Sequence, residues 1–190
     1  MDNPLRQTLT AAISLLDQHS IPYALVGGLA ASLRGQPRAT ADVELVIGVD
    51  IGKALSLLSD LETTAFEPLF EGVAEVVERA FILPLKHRET GVKVDLALGL
   101  SGFEQQLLSR TQEVNLLGES VQVASAEDLI VMKLLAGRPR DQQDAEGIVM
   151  VQGDSIDWDY CRETALRLGQ AVEQDLVGPL DKLKKAGTEN

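Results

Sequence analysis

The fold is decided by Val26-Gly27-Gly28 and Asp42-Val43-Glu44-Leu45, two short motifs separated by thirteen residues. Residues 23–26 form a short apolar run typical of a buried strand, which the two glycines end. Residues 41–47 then alternate, so that Asp42 and Glu44 lie on one face of a strand and apolar side chains on the other. The stretch predicts two strands, separated by a glycine turn and a short helix, with two carboxylates on a common face.

Asp42 and Glu44 have the spacing that a divalent-metal site needs. A strand rises ~3.3 Å per residue, so their Cα atoms are about 6.6 Å apart and their side chains point the same way. Such side chains can converge on metal ions, and Mg²⁺ prefers carboxylate, water and phosphate oxygens. Asp95, in the strand-like run 92–98, is the third candidate ligand, although alternation alone would make it an exposed strand residue.

Gly27 and Gly28 follow a strand and precede a short helix. Glycines there let the backbone approach a phosphate, and the helix start directs free N–H groups at it. Two adjacent glycines are also common in structural turns, which is the alternative for this pair.

The rest of the chain is strand-rich before residue 125 and helical after it. Further helices are predicted over residues 4–19, 50–61 and 101–109, and hairpins around Gly91 and Gly118. Residues 62–77 fit neither period and are predicted to be a loop with a possible strand. Ser125 begins a helical C-terminal third. We therefore predict an α/β (α+β) fold with a small mixed sheet and helices packed on one side, as a core over 1–124 and a helical region over 125–190.

Composition narrows the classes of function. The chain has 190 residues, 45% of them hydrophobic, and a formal net charge of -12, which argues against an extended, sequence-independent footprint on nucleic acid. Its only cysteine, Cys161, cannot form an internal disulfide. No basic leader or membrane-length apolar stretch is visible, so no membrane association and a cytoplasmic location are expected.

Taken together, the two motifs resemble the signature of the polymerase-beta-like nucleotidyltransferase superfamily. That signature joins a hydrophobic-Gly-Gly/Ser turn to an Asp-hydrophobic-Asp/Glu-hydrophobic strand, and a third acidic residue follows on a later strand. The wider pattern adds Gly35, Arg38 and Thr40, then Ser125 to Leu129 with Lys133 and Arg140-Asp141. In this it looks most like the AbiEii-type nucleotidyltransferases, which include toxins of bacterial toxin–antitoxin and phage-defence systems.

The resemblance implies a nucleotidyltransferase fold and a two-metal enzyme that transfers a nucleoside monophosphate from a nucleoside triphosphate to an acceptor hydroxyl. Asp42, Glu44 and Asp95 would bind Mg²⁺ or Mn²⁺, with Asp95 also activating the hydroxyl. The nucleotide-binding residues would be Gly27, Gly28, Arg38 and Lys133. The acceptor could be a tRNA, a small molecule or a protein, and an antitoxin is a candidate partner.

Alternatives accompany these assignments. The chain could be a catalytically inactive nucleotide-binding or partner-binding module, or an enzyme that modifies a small hydroxylated molecule such as an antibiotic, which its acidity suits better than a tRNA. Lys133 could instead be a solvated helix lysine, and Arg38 could pair with a neighbouring acid. Arg140, Asp141 and Asp144 are expected to form ion pairs around their helix. His87 is expected to be a solvated turn residue.

Overall fold

The computed structural model describes residues 3–116 and 118–188. Met1, Asp2 and Leu117 of the predicted core, and Glu189 and Asn190 of the predicted helical region, lie outside the described residues. The chain divides into two compact units. One holds the chain up to Gly27 with residues 40–123, and the other holds residues 28–39 with the chain from Ala124 onward. The predicted division into a core over 1–124 and a helical region over 125–190 stays a prediction.

The described residues form seven strands, nine α-helices and two single 3₁₀ turns. The strands are β1 (Tyr23–Leu25), β2 (Asp42–Ile47), β3 (Phe66–Pro68), β4 (Ile82–His87), β5 (Lys93–Leu98), β6 (Gln112–Leu116) and β7 (Glu119–Val123). The α-helices are α1 (Pro4–Gln18), α2 (Gly27–Arg34), α3 (Ile51–Ser59), α4 (Val73–Ala80), α5 (Gly102–Ser109), α6 (Ala126–Ala136), α7 (Pro139–Gln152), α8 (Trp158–Val172) and α9 (Val177–Thr188).

All seven strands belong to the first unit and form one sheet in the order β3-β4-β5-β2-β1-β7-β6. β2 runs parallel to β5 and β1 parallel to β7, whereas the other neighbours are antiparallel. The predicted α/β class with a mixed sheet is therefore confirmed. Its central feature for function is that β2 and β5, the two strands carrying the candidate carboxylates, are hydrogen-bonded neighbours.

Local sequence explains where several helices begin. The Asp50 side chain accepts a hydrogen bond from the Lys53 N–H at 2.7 Å and caps α3. Ser101 and Glu104 form the reciprocal capping box of α5. Ser125 accepts from the third residue of α6 at 3.1 Å. Each bond satisfies a backbone donor that the first helical turn leaves without a partner, which accounts for the agreement with the predicted starts.

The apolar positions of the central strands build the core of the first unit. Val43, Leu45 and Ile47 of β2 are fully buried, and β5 alternates in the same way through Val94 and Leu96. Burial of one such side chain contributes about 1.5–3 kcal/mol. Because alternate residues face opposite ways, the apolar set fixes the orientation of β2 and β5 and leaves their polar residues on the other face.

The turn before β5 corrects the sequence expectation for His87. The residue is buried, its Nδ1 accepts a hydrogen bond from Thr90 N at 3.2 Å, and its ring meets Phe66 edge-on at 5.4 Å. The expectation of a solvated turn residue was wrong because β4 continues to His87 and pairs there with Phe66 of β3. That strand lies in the segment whose pattern fitted neither period.

The second unit is helical, with α6 packed on α7 and α8, and α9 packed on α7 and α8. Leu129, Ile130 and Val131 are consecutive and fully buried, which is typical of a helix covered on more than one side. Gly137, in the left-handed conformation, ends α6. Within the described residues, every helix is too short or too polar to span a membrane.

Candidate active site

The parallel pairing of β2 with β5 brings the polar residues of both strands together. Glu44 lies opposite Asp95, and Asp42 lies opposite Lys93. Register partners in a sheet project from the same face, as do residues two apart on a strand. Asp42, Glu44, Asp95 and Lys93 therefore share one face, and all four are partly exposed.

Gly27 lies directly against Glu44. Val26 N donates to the Glu44 carbonyl at 2.9 Å, which holds the turn on β2. Gly27 has φ +66°, and a Cβ built on it would overlap the Glu44 carboxylate and lie 2.8 Å from the Glu44 Cβ. Only glycine combines that backbone conformation with so close an approach. Gly27, the first residue of α2, is thus fixed beside a candidate metal ligand.

Gly27→Ala should destabilise the first unit by about 1–3 kcal/mol more than Gly91→Ala. Both glycines have positive φ, and no described atom lies within 4 Å of a Cβ built on Gly91. The control therefore carries only the left-handed backbone cost of about 1–2 kcal/mol, whereas Gly27→Ala adds overpacking against Glu44. Urea unfolding followed by circular dichroism measures both. Equal losses would mean that Glu44 moves aside without cost.

The carboxylates differ in their partners. Asp42 Oδ1 accepts a hydrogen bond from Thr40 Oγ1 at 3.1 Å. Asp95 Oδ2 accepts from Lys93 Nζ at 2.6 Å. The other oxygen, Asp95 Oδ1, is buried and accepts no hydrogen bond from the described residues. A buried carboxylate oxygen without a donor is costly unless a cation or water satisfies it.

These observations test whether a divalent metal fits. The donors are oxygens of the type Mg²⁺ prefers, they share one face, and Asp95 Oδ1 lacks a partner within residues 3–116 and 118–188. Among the described residues, however, no group of three His, Cys, Asp or Glu side chains is close enough to hold a metal. The three carboxylates therefore have suitable oxygen atoms and lie on one face, but the described side chains do not converge closely enough to form a complete metal site. Lys93 was not among the residues predicted from sequence, although its position two residues before Asp95 places both on one face.

Arg38 and Lys133 belong to an ion cluster in the second unit that is built around two buried aspartates. Arg38 donates to both oxygens of Asp144, at 2.5 and 2.8 Å. Lys133 Nζ lies 2.8 Å from Asp144 and 3.0 Å from Asp141, which Arg138 also contacts at 2.6 Å. The two aspartate side chains are only 4–5% exposed. We call these five residues the ion cluster.

The cluster keeps its aspartates ionised. Burial alone would raise the pKa of Asp144, but hydrogen bonds from Arg38 and Lys133 and their positive charges outweigh it and lower the pKa. Burial likewise opposes the shift at Asp141, whose pKa is lowered by Arg138 and Lys133. Hydrogen bonds and opposite charges stabilise the ionised form of a carboxyl group.

The ion cluster settles several alternatives from the sequence. The expected ion pairing of Asp141 and Asp144 is confirmed, whereas Arg140 donates to the Ala39 carbonyl at 2.8 Å. A solvated Lys133 is wrong, because its side chain is 9% exposed and bound to two aspartates. Arg38 pairs with Asp144, in agreement with the alternative that it binds an acidic side chain. Nucleotide binding by Arg38 and Lys133 stays a prediction.

Solved structures of nucleotidyltransferases share this architecture. An antigenic nucleotidyltransferase-like protein from Paracoccidioides brasiliensis is 20% identical, with a TM-score of 0.54 and 91% of each chain covered. Lincomycin-bound lincosamide antibiotic adenylyltransferase LnuA is 17% identical, with a TM-score of 0.53 over 79% of this chain and 99% of LnuA. The antibiotic-resistance factor ANT(2'')-Ia is 13% identical, with a TM-score of 0.57 over 87% and 92% of the two chains. The fold is that of the nucleotidyltransferases.

The family follows from sequence. The family described as "Nucleotidyltransferase of unknown function (DUF6036)" matches residues 5–174. The chain belongs to this family. A search of curated proteins finds no significant match. Family and fold thus confirm the predicted nucleotidyltransferase class, while the closer resemblance to AbiEii-type proteins stays a prediction.

Proposed function

We propose that the chain is a metal-dependent nucleotidyltransferase that moves a nucleoside monophosphate from a nucleoside triphosphate to an acceptor hydroxyl. Asp42, Glu44 and Asp95 would hold Mg²⁺ or Mn²⁺, and Gly27 and Gly28 would face the triphosphate. What supports this most is the register of β2 against β5, which puts three carboxylates on one face. Membership of a nucleotidyltransferase family supports the same reaction class.

In the proposed reaction, the acceptor oxygen forms a bond to the α-phosphorus as the bond to the bridging oxygen breaks, and pyrophosphate leaves. Asp95 takes the proton of the hydroxyl at a carboxylate oxygen. The N–H groups at the start of α2, beside Gly27, bind phosphate oxygens. Bound divalent cations would supply stabilisation of the charge that develops on the phosphoryl oxygens and the leaving group.

Arg38 and Lys133 are proposed to contact phosphate as well. Each is already bound to Asp144 in its own unit, so a phosphate would have to share or replace that carboxylate. Phosphate and carboxylate are interchangeable partners for guanidinium and ammonium groups. The cluster would then serve to orient both cations before the nucleotide arrives.

A small hydroxylated molecule is the proposed class of acceptor. The net charge of -12 disfavours the long phosphate contact that a tRNA would require. Of the structurally similar proteins, LnuA is a lincosamide antibiotic adenylyltransferase and ANT(2'')-Ia is an antibiotic-resistance factor. The structure of ANT(2'')-Ia is known in complex with adenylyl-2''-tobramycin. ATP is accordingly the first donor to test. A toxin acting on tRNA, with an antitoxin partner, is the competing role.

Triphosphate binding tests the proposal before any acceptor is known. Calorimetry with each nucleoside triphosphate, with and without Mg²⁺, should detect metal-dependent binding to the native chain. Asp42→Ala/Glu44→Ala should reduce it at least about tenfold, as expected if about 1.4 kcal/mol or more of metal-mediated binding is lost. Glu113→Ala/Glu119→Ala removes the same charge from β6 and β7 and should bind normally.

Two results would contradict the proposal in different ways. Metal-dependent binding that survives in Asp42→Ala/Glu44→Ala would locate the metal elsewhere. If no triphosphate binds the folded native chain, the inactive binding module becomes the better account.

A further inference from the structure

Lys93 contacts a candidate metal ligand on the face where nucleotide chemistry is proposed. It is the first residue of β5, opposite Asp42 and two residues before Asp95. Its Nζ lies 2.6 Å from Asp95 Oδ2, and the two side chains are 41% and 24% exposed. An ion pair between residues two positions apart on one strand is ordinary by itself. Here, however, the ammonium group of Lys93 lies on the same face as three carboxylates that are proposed to bind metal.

Asp95 has two oxygens in contrasting states. Oδ2 is bound by the Lys93 ammonium, whereas Oδ1 is buried and accepts no hydrogen bond from the described part of the chain. The ammonium therefore fixes the rotation of the carboxylate and directs the unsatisfied oxygen inward. It also neutralises part of the repulsion among Asp42, Glu44 and Asp95, which share the face.

We infer that Lys93 is a positioning residue that occupies Asp95 Oδ2 until a divalent cation displaces its ammonium. A Mg²⁺ ion needs ligand oxygens at about 2.0–2.1 Å, and an ammonium bound to the same carboxylate repels it. Free metal then binds weakly, because it must break the Lys93–Asp95 pair. Metal carried by a triphosphate brings additional oxygen ligands and overcomes that competition. The inference rests on the proposed metal site.

Lys86 provides a matched control. It is the register partner of Lys93 on the neighbouring strand β4, and its side chain is also 41% exposed. Its Nζ lies 2.9 Å from Glu67, outside the three-carboxylate set. Replacing either lysine with methionine removes one positive charge and keeps the apolar stem. A difference between the two variants therefore isolates the contact with Asp95 from the change in net charge.

The test is Mn²⁺ binding without nucleotide, followed by the loss of the free-ion electron paramagnetic resonance signal. Lys93→Met should bind Mn²⁺ roughly fivefold more tightly than the native chain, because the ion no longer has to break a pair of unit charges worth about 1 kcal/mol in a water-like dielectric. Lys86→Met should stay within about twofold, because its charge is farther and screened. With Asp95→Asn in the background, Lys93→Met should behave like Lys86→Met.

Each other outcome has a definite meaning. If Lys93→Met binds Mn²⁺ no more tightly than Lys86→Met, Lys93 does not compete for Asp95 and the inference is overturned, while the metal site stands. If folded native chain and Lys93→Met both fail to bind Mn²⁺, the proposed metal site fails and the inference fails with it. Circular dichroism of every variant confirms that binding is compared between folded proteins.

Discussion

Asp42→Asn should slow nucleotidyl transfer roughly a thousandfold, since metal stabilisation of a phosphoryl transition state is worth several kcal/mol. Asparagine keeps the size of the side chain, and its amide oxygen can still accept the Thr40 hydrogen bond seen at 3.1 Å. It removes only the negative charge that would bind the cation. The measurement is the rate of pyrophosphate release from the preferred triphosphate with an acceptor that the native chain modifies.

The control for this variant is Glu119→Gln, which makes the same change on β7 of the same sheet. Its rate should equal that of the native chain within about twofold, because a surface substitution away from the site shifts energies by about 0.5 kcal/mol or less. If Asp42→Asn transfers nucleotide faster than about a tenth of the native rate, Asp42 does not coordinate an essential metal. Loss of such a ligand would cost several kcal/mol of transition-state stabilisation.

The elements that could be predicted from sequence are those whose cause is local. Asp50 and Ser101 cap their helices through residues three positions away, and Gly91 takes positive φ in the hairpin turn as predicted. The alternation around Asp42 and Glu44 likewise fixes their common face within six residues. Such features depend on neighbours along the chain, so one sequence contains them.

The features that escaped prediction depend on distant partners. For residues 62–77 only a loop with a possible strand was predicted, because β3 has three residues, too few for a period, and is defined by its pairing with β4 some twenty residues later. His87 is buried by that same pairing, which made its solvated assignment wrong. Arg38 meets Asp144 across 106 positions, and nothing near Arg38 in the sequence indicates which acid it selects.

Within the candidate site the same division holds. Asp42 and Glu44 could be proposed from sequence because they lie two residues apart on one strand face. Asp95 could be proposed because the resemblance implies a third acidic residue on a later strand. That Glu44 lies opposite Asp95, and that Lys93 occupies one Asp95 oxygen, required the order of strands in the sheet. A parallel pairing of β2 with β5 joins residues about fifty positions apart, and no local pattern specifies it.

Asp144→Asn should lower the free energy of unfolding of the second unit by about 3–5 kcal/mol, the usual cost of breaking a buried ion pair from one side. The change leaves Arg38 and Lys133 with one counter-charge fewer inside the ion cluster. Urea unfolding followed by the fluorescence of Trp158, the only tryptophan, reports on this unit.

Asp181→Asn is the matched control, because Asp181 pairs with Arg162 at 2.6 Å but both side chains are about half exposed. An exposed pair contributes about 0–1 kcal/mol, so this variant should unfold almost like the native chain. Similar losses in the two variants would show that burial of the ion cluster adds nothing to its strength.

Acid should weaken the same cluster by protonating it. The pKa values of Asp141 and Asp144 lie below their ordinary value of 3.8 in the folded chain, so their contribution is complete above that value. It is lost as the pH falls from there through the lower folded values. Asp144→Asn retains one of the two titrating carboxylates, so its unfolding free energy should fall less steeply over that window. An equal slope in both proteins would mean that Asp144 ionises alike in the folded and unfolded chain.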